Sequence, residues 1–243
     1  MSHVLLTEEN LLMRYASWQL VPWLTLLAIT SVHAALPGAF TVGIDLGQVQ
    51  DFISDSSWAS EAQRATASGA GSNPVTSNSQ HNLALGASLG YVLNQLDSPL
   101  GPINYGLETG FRVLGGGQRT TNWSNGNQEN LKNSVNYARL NLSAEMPLAH
   151  SGVSLLGRAG VALVSDKTQY LTNIPGVSNF NQTQDAAQPY WALGVGLGGS
   201  FAQFDVMYEY VGMPTTSSRP LAGGAVSGVN NIGSITVGAS LAF

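Results

Sequence analysis

Over residues 235–243 apolar side chains occupy the odd positions (Ile235, Val237, Ala239, Leu241, Phe243) and small or polar ones the even positions. A period of two over such a run predicts a strand with two unlike faces. The same alternation recurs upstream over residues 40–46 and about 82–93, 103–114, 135–146, 153–164, 190–199 and 204–210. The connections between these runs alternate in length. Long ones are expected at 53–79, 115–133, 165–188 and 212–230, and short ones at 94–101, after 146 and after 199. Within the first long connection, 58–67 could form a short helix. From residue 35 onward each proline falls in a connection, a turn or the first residue of a strand, where no ladder hydrogen bond is lost.

Eight strands joined in this way predict an all-β fold, an eight-stranded antiparallel up-and-down barrel. The first connection is long, so both chain ends belong on the side of the short turns. One face of each strand is apolar. The other carries Gly, Ala, Ser and Asn, interrupted by Asp45, Glu108, Arg112, Arg139, Glu145, Arg158, Asp205 and Glu209. A water-soluble barrel would need an exterior dense in charge. Small residues with sparse charges of both signs suit a narrow interior instead, with the apolar face turned to lipid. Closure is then obligatory, because an open sheet edge would leave backbone groups unsatisfied in hydrocarbon. The aromatics fit two girdles around the lipid band. Phe40, Tyr91, Tyr105, Phe204 and Phe243 fall toward the end carrying the termini, and Phe111, Tyr137, Trp191 and Tyr210 toward the other, with Tyr137 open to either face.

Composition agrees. Charged residues make up 9% of the 243, against roughly 25% in an average soluble chain. No run after residue 35 resembles a membrane helix. There is no cysteine, which removes disulfide and thiol chemistry. The net charge of -5 offers no basic stripe for nucleic acid. Near the N-terminus, Met13-Arg14 precedes an apolar core at 20–29 and then Val32-His33-Ala34, the pattern of a secretory signal. This predicts a signal over residues 1–34 and a barrel domain over 35–243. Glu8 and Glu9 do not suit a basic leader, and a start at Met13 would remove them.

The closing strand with its terminal aromatic resembles the last strand of bacterial outer-membrane β-barrels. That resemblance implies an assembly signal made of Phe243, Leu241 and Val237, read by the barrel-assembly machinery. Residues 39–243 as a whole resemble the small OmpA/OmpX-type barrels. The resemblance implies a monomer in the bacterial outer membrane, both termini periplasmic, surrounded by outer-membrane lipid and lipopolysaccharide. It implies a structural or surface-contact role, with a host-surface ligand as a candidate partner for four extracellular loops. A narrow porin-like channel and a lipid A-modifying enzyme are the alternatives. No peptidoglycan-binding segment follows within these residues, so tethering to the cell wall is not expected.

The eight polar-face charges are expected to pair into a network packing the lumen, since lone buried charges are costly; the competing reading is a gated ion path. The glycines at 194, 196 and 198 are read as small residues on a lumen face, because no strand–turn–helix setting or basic residue supports a phosphate loop. Gly115-Gly-Gly117 is read as a loop apex. His81, with Ser79 and Asp51 or Asp55, is the weak candidate for a lipid-modifying set, and His150 is expected in a turn. No residues fall at metal-ligand spacing, and no catalytic or cofactor site is expected.

Overall fold

The computed structural model describes residues 37–49, 55–80, 83–148, 151–199, 201–213, 221–223 and 231–243. The expected signal segment lies outside them. In chain order the elements are β1 (Phe40–Val49), α1 (Asp55–Ala67), β2 (Val75–Gln80), β3 (Leu83–Ser98), β4 (Gly101–Asn122), β5 (Gln128–Pro147), β6 (Val153–Thr172), β7 (Phe180–Gly198), β8 (Ala202–Val211) and β9 (Ile232–Ala242).

Eight of the nine strands close a ring. β1 pairs with β3, and each later strand pairs with the next until β9 returns to β1, every pairing antiparallel. At the seam Val42 faces Leu241 and Leu46 faces Val237. Phe40 and Phe243 finish it by exchanging two backbone hydrogen bonds of 3.0 Å. The ninth strand, β2, runs beside the last residues of β4, with Val75 opposite Asn122 and Gln80 opposite Gly117. It continues the course of β3 past a shift in β4 between Leu114 and Gly117.

Alternation decides what faces lipid. Ile44 is 66% exposed, Leu140 62% and Leu193 61%, while their strand neighbours Asp45, Arg139 and Ala192 are buried. An isolated barrel that turns its aliphatic residues outward and its arginines inward is a transmembrane barrel. Phe40 packs at a tilt, 4.8 Å between ring centres, against Tyr91 near the termini, and Trp191 packs against Tyr208 and Tyr210 toward the far end. Tyr137, open to either face in the sequence, takes the inner one. It has the parity of Arg139, points inward and is 1% exposed.

The connections need correction. The expected loops at 115–133 and 165–188 are mostly hairpin: β4 runs to Asn122, β5 starts at Gln128, β6 runs to Thr172 and β7 starts at Phe180. A tilted strand spans the bilayer in about 9–11 residues, so roughly half of each of these strands stands clear of lipid on the far side. Gly115-Gly-Gly117 is not an apex but lies within β4, at its register shift. On the near side β3 continues to Ser98, so the 94–101 connection narrows to a turn. The expected short helix is present and longer, as α1.

Candidate functional site

The ring brings six of the eight inward charges into one connected set. Arg112 of β4 pairs with Asp45 of β1 and with Glu209 of β8. Arg139 of β5 reaches Glu108 at 2.8 Å and Glu209 at 2.9 Å. Arg158 of β6 pairs with Glu108 at 3.0 Å and lies 3.9 Å from Glu209. Three guanidinium groups thus meet three carboxylates, and the set is neutral. Glu209, 0% exposed, is its hub. Tyr137 and Tyr190 also donate their hydroxyls to it, at 3.1 and 3.2 Å. Buried ions tolerate a low-dielectric interior only with this degree of pairing and hydrogen bonding.

The other two charges face the lumen outside that set. Glu145 accepts a 2.7 Å bond from Gln203. Asp205 has no ion pair among the described residues and lies against Gly238. Both belong to the near half of the barrel. There Thr41, Ser88, Asn104, Ser143, Gln203 and Ser240 help line a polar cavity of about 90 Å³, with Glu108 and Arg158 among its walls. Of the residues expected to signal assembly, Val237, Leu241 and Phe243 are all exposed on the outer face.

Beyond the charges comes an apolar layer. Leu114 is two residues past Arg112, Val135 two before Tyr137, Val211 two past Glu209, and Ile232 is the cross-strand partner of Val211. With Val49, Val164 and Met213 they belong to one buried cluster. The strands that continue past it carry buried Arg119, Asn133, Asp166 and Thr168 on their inner face.

The far mouth is occupied by α1. Its residues Trp58, Glu61, Ala62 and Ala65 recur at three- and four-residue spacing and are all buried, which defines one inward stripe. Trp58 packs with Leu131, Tyr170 and Leu221, and Ala65 with Ala70, Trp123 and Ile174. The helix ends in a Schellman turn. Gly69, at φ +95, stands where the left-handed conformation is required, and the Ala70 amide returns to the Ala65 carbonyl at 3.0 Å. Trp123 Nε1 donates to Thr66 Oγ1 at 2.9 Å, and Arg64 Nε to the Gly223 carbonyl at 2.9 Å.

Beneath α1, two carboxyl groups meet. Glu61 Oε1 accepts the Gly223 amide at 2.6 Å, and Glu129 Oε2 accepts the Tyr170 hydroxyl at 2.8 Å. The two side chains are hydrogen-bond neighbours. Neither Glu61 Oε2 nor Glu129 Oε1 has any other donor among the described residues. Burial first, and then the adjoining Glu129, push Glu61 up from 4.5 to about 8, against the Gly223 amide and Arg64. Burial and Glu129 likewise push the Tyr170 hydroxyl up. Sequence reasoning passed over this site, although Trp58, Glu61 and Ala65 already show helical spacing.

The weaker candidates fall largely on residues that are not described. His81, His150 and Asp51 lie outside the described residues, and Ser79 is exposed on β2. Gly194 and Gly196 sit on the inner face of β7, where a Cβ would meet the Val206 carbonyl and the Gln203 side chain. Among the described residues no three His, Cys, Asp or Glu side chains could hold a metal ion.

No protein-family model matches the chain, and no curated protein matches it in sequence. Among solved structures it is similar to the N-terminal β-barrel domain of Pseudomonas aeruginosa OprF, at 9% identity and a TM-score of 0.43, covering 85% of this chain and 98% of that one. It is similar to Ail, the attachment invasion locus protein of Yersinia pestis, at 13% identity and a TM-score of 0.39, covering 86% and 100%. Neisserial surface protein A is a third, at 14% identity and a TM-score of 0.33, covering 85% and 99%. The description of this chain as an eight-stranded transmembrane barrel rests on its own closed ring and outward apolar band.

Proposed function

We propose that this chain is an integral protein of a Gram-negative-type outer membrane with a structural or surface-contact role. On this reading it is a monomer with both termini periplasmic, and the far-side hairpins and connections project from the cell. Residues 1–34 are a secretory signal, so N-terminal sequencing of membrane-inserted protein should begin at Ala35. The observation that supports a structural lumen is the stack across it: the Arg112–Arg139–Glu209 set, then the Leu114–Val135–Ile232 layer, then α1. A polar cavity on one side of such a stack does not make a path.

The chain's only two lysines support a lipopolysaccharide surround. Lys132 of β5 and Lys167 of β6 are exposed on neighbouring strands, opposite Gln169 and Ser134, past the outward Leu140 and Leu163. Basic groups at that height face the anionic headgroup layer. Planar-bilayer recording tests the role. The purified barrel should pass little or no steady current, whereas a large, stable conductance would replace this reading with a narrow porin-like channel.

A further inference from the structure

We propose that Glu61 and Glu129 form a proton-sharing latch that seats α1 in the far mouth of the barrel and lets it go as the pH rises. The inference starts from geometry. Two carboxyl groups, each on a residue with no exposed surface, lie within hydrogen-bonding reach, and one oxygen of each lacks a donor. Two ionised carboxylates cannot rest in that arrangement, because no described residue bridges the facing oxygens and the charges repel in a dry site. A single proton resolves both faults, since it supplies the missing donor and removes one charge.

The surroundings indicate which group holds it. Glu129, on β5, already receives the Tyr170 hydroxyl from β6, and the buried cation Arg119 is carried by the adjoining strand β4. Thr121 of β4 is the cross-strand partner of Glu129 and is buried with its hydroxyl unpartnered. On α1 the cation Arg64 is turned to the Gly223 carbonyl. Among the described residues Glu61 has only the Gly223 amide on its other oxygen. Glu61 is therefore the proton carrier and Glu129 the acceptor of its hydrogen bond, consistent with a Glu61 carboxyl pushed up to about 8.

The sign follows from proton counting. The seated helix holds a proton on Glu61 that the released helix gives up at its ordinary value, 4.5. Between that value and about 8 the seated state binds more protons, so rising pH favours release throughout this window. Below it both states are protonated and the latch is at full strength. Above it both are ionised and the seat has lost this contribution.

Hydrogen–deuterium exchange on the intact folded barrel in detergent micelles, from pH 5 to 9, reads the latch directly. After correction for intrinsic exchange chemistry, protection of the α1 amides should fall with pH, at up to about tenfold per unit where the slope is steepest. The β4–β6 amides within the membrane should not follow. Glu61→Gln places a permanent donor against Glu129 and should flatten the α1 profile at high protection. Should that variant fail to refold, Glu129→Gln makes the same test, because its amide also bonds Glu61 without a second charge. A flat wild-type profile, or a glutamine variant that tracks the wild type, would overturn the latch. Restoration of protection at pH 8.5 by CaCl2, reversed by EDTA, would overturn it in favour of a divalent cation between the carboxylates.

Discussion

Arg139 and Glu209 project from β5 and β8, two strands that are not neighbours in the ring, and close a 2.9 Å ion pair across the lumen. Each also belongs to other pairs, so the network ties β1, β4, β5, β6 and β8 together. Breaking it from one side leaves the buried set with an uncompensated charge. Arg139→Ala leaves three carboxylates to Arg112 and Arg158, one charge uncompensated, and should cost up to roughly 3–5 kcal/mol, less where water from the near-side cavity reaches Glu108. A lower temperature for the folded-to-unfolded band shift on gels, with a lower urea midpoint, would register the loss. Glu209→Ala should cost at least as much, since three guanidinium groups then share two carboxylates.

The network also requires empty space beside it. A Cβ on Gly86 would stand 2.5 Å from Asp45 Oδ1, on the carboxylate that anchors Arg112. Gly86→Ala should destabilise the barrel by about 1–3 kcal/mol through overpacking. Gly157→Ala is the control, because its new methyl meets only Leu193 Cδ2 at 3.8 Å. Urea midpoints of the two variants should separate clearly, and equal midpoints would show that Asp45 can move aside freely.

How much of this was legible in the sequence depended on contrast. Within the lipid band a large apolar residue alternates with a small or charged one, so the strands and the parity of Glu108, Arg112, Arg139 and Glu209 could be read directly. Past the far rim the outward residues become Gln118, Thr120, Lys132 and Gln169. With both faces polar the alternation fades, and the hairpins read as loops. Yet Leu131 and Tyr170 hold the inward parity of Arg139 and Arg158 through that region. Tyr137 stays open in the sequence for a different reason: aromatic character suggests a girdle, while its spacing from Arg139 places it inside. The Glu61–Glu129 contact had no sequence signal at all, because it depends on where a helix docks.

Phe243 offers two separable contributions. Its backbone exchanges two hydrogen bonds with Phe40 at the seam, and its ring is 71% exposed. Deleting Phe243 removes both, whereas Phe243→Ala keeps the backbone pairing. If the ring is the recognition feature for the barrel-assembly machinery, both variants should accumulate less in the outer membrane. Normal levels of Phe243→Ala beside depleted levels of the deletion would assign the effect to seam pairing instead.

Trp58 tests whether α1 is an independent cap or part of the barrel's stability. It is 1% exposed and joins the helix to Leu131 of β5 and Tyr170 of β6. Removing a buried aromatic of this size typically costs about 3–5 kcal/mol, and a helix of 13 residues is marginal in water without a docking surface. The strands owe their pairing to the closed ladder, which Trp58 does not enter. Trp58→Ala should therefore release α1 while leaving the barrel intact. Arg64 supplies the readout, since it is exposed within α1 and becomes a trypsin site once its bond to the Gly223 carbonyl opens. Limited trypsin digestion of folded protein should cut after Arg64 much faster in the variant, with no change in the temperature of the gel shift. Unchanged cleavage would mean that the Thr66–Trp123 and Arg64–Gly223 bonds alone suffice to hold the helix, and a lowered gel-shift temperature would make α1 part of the barrel core.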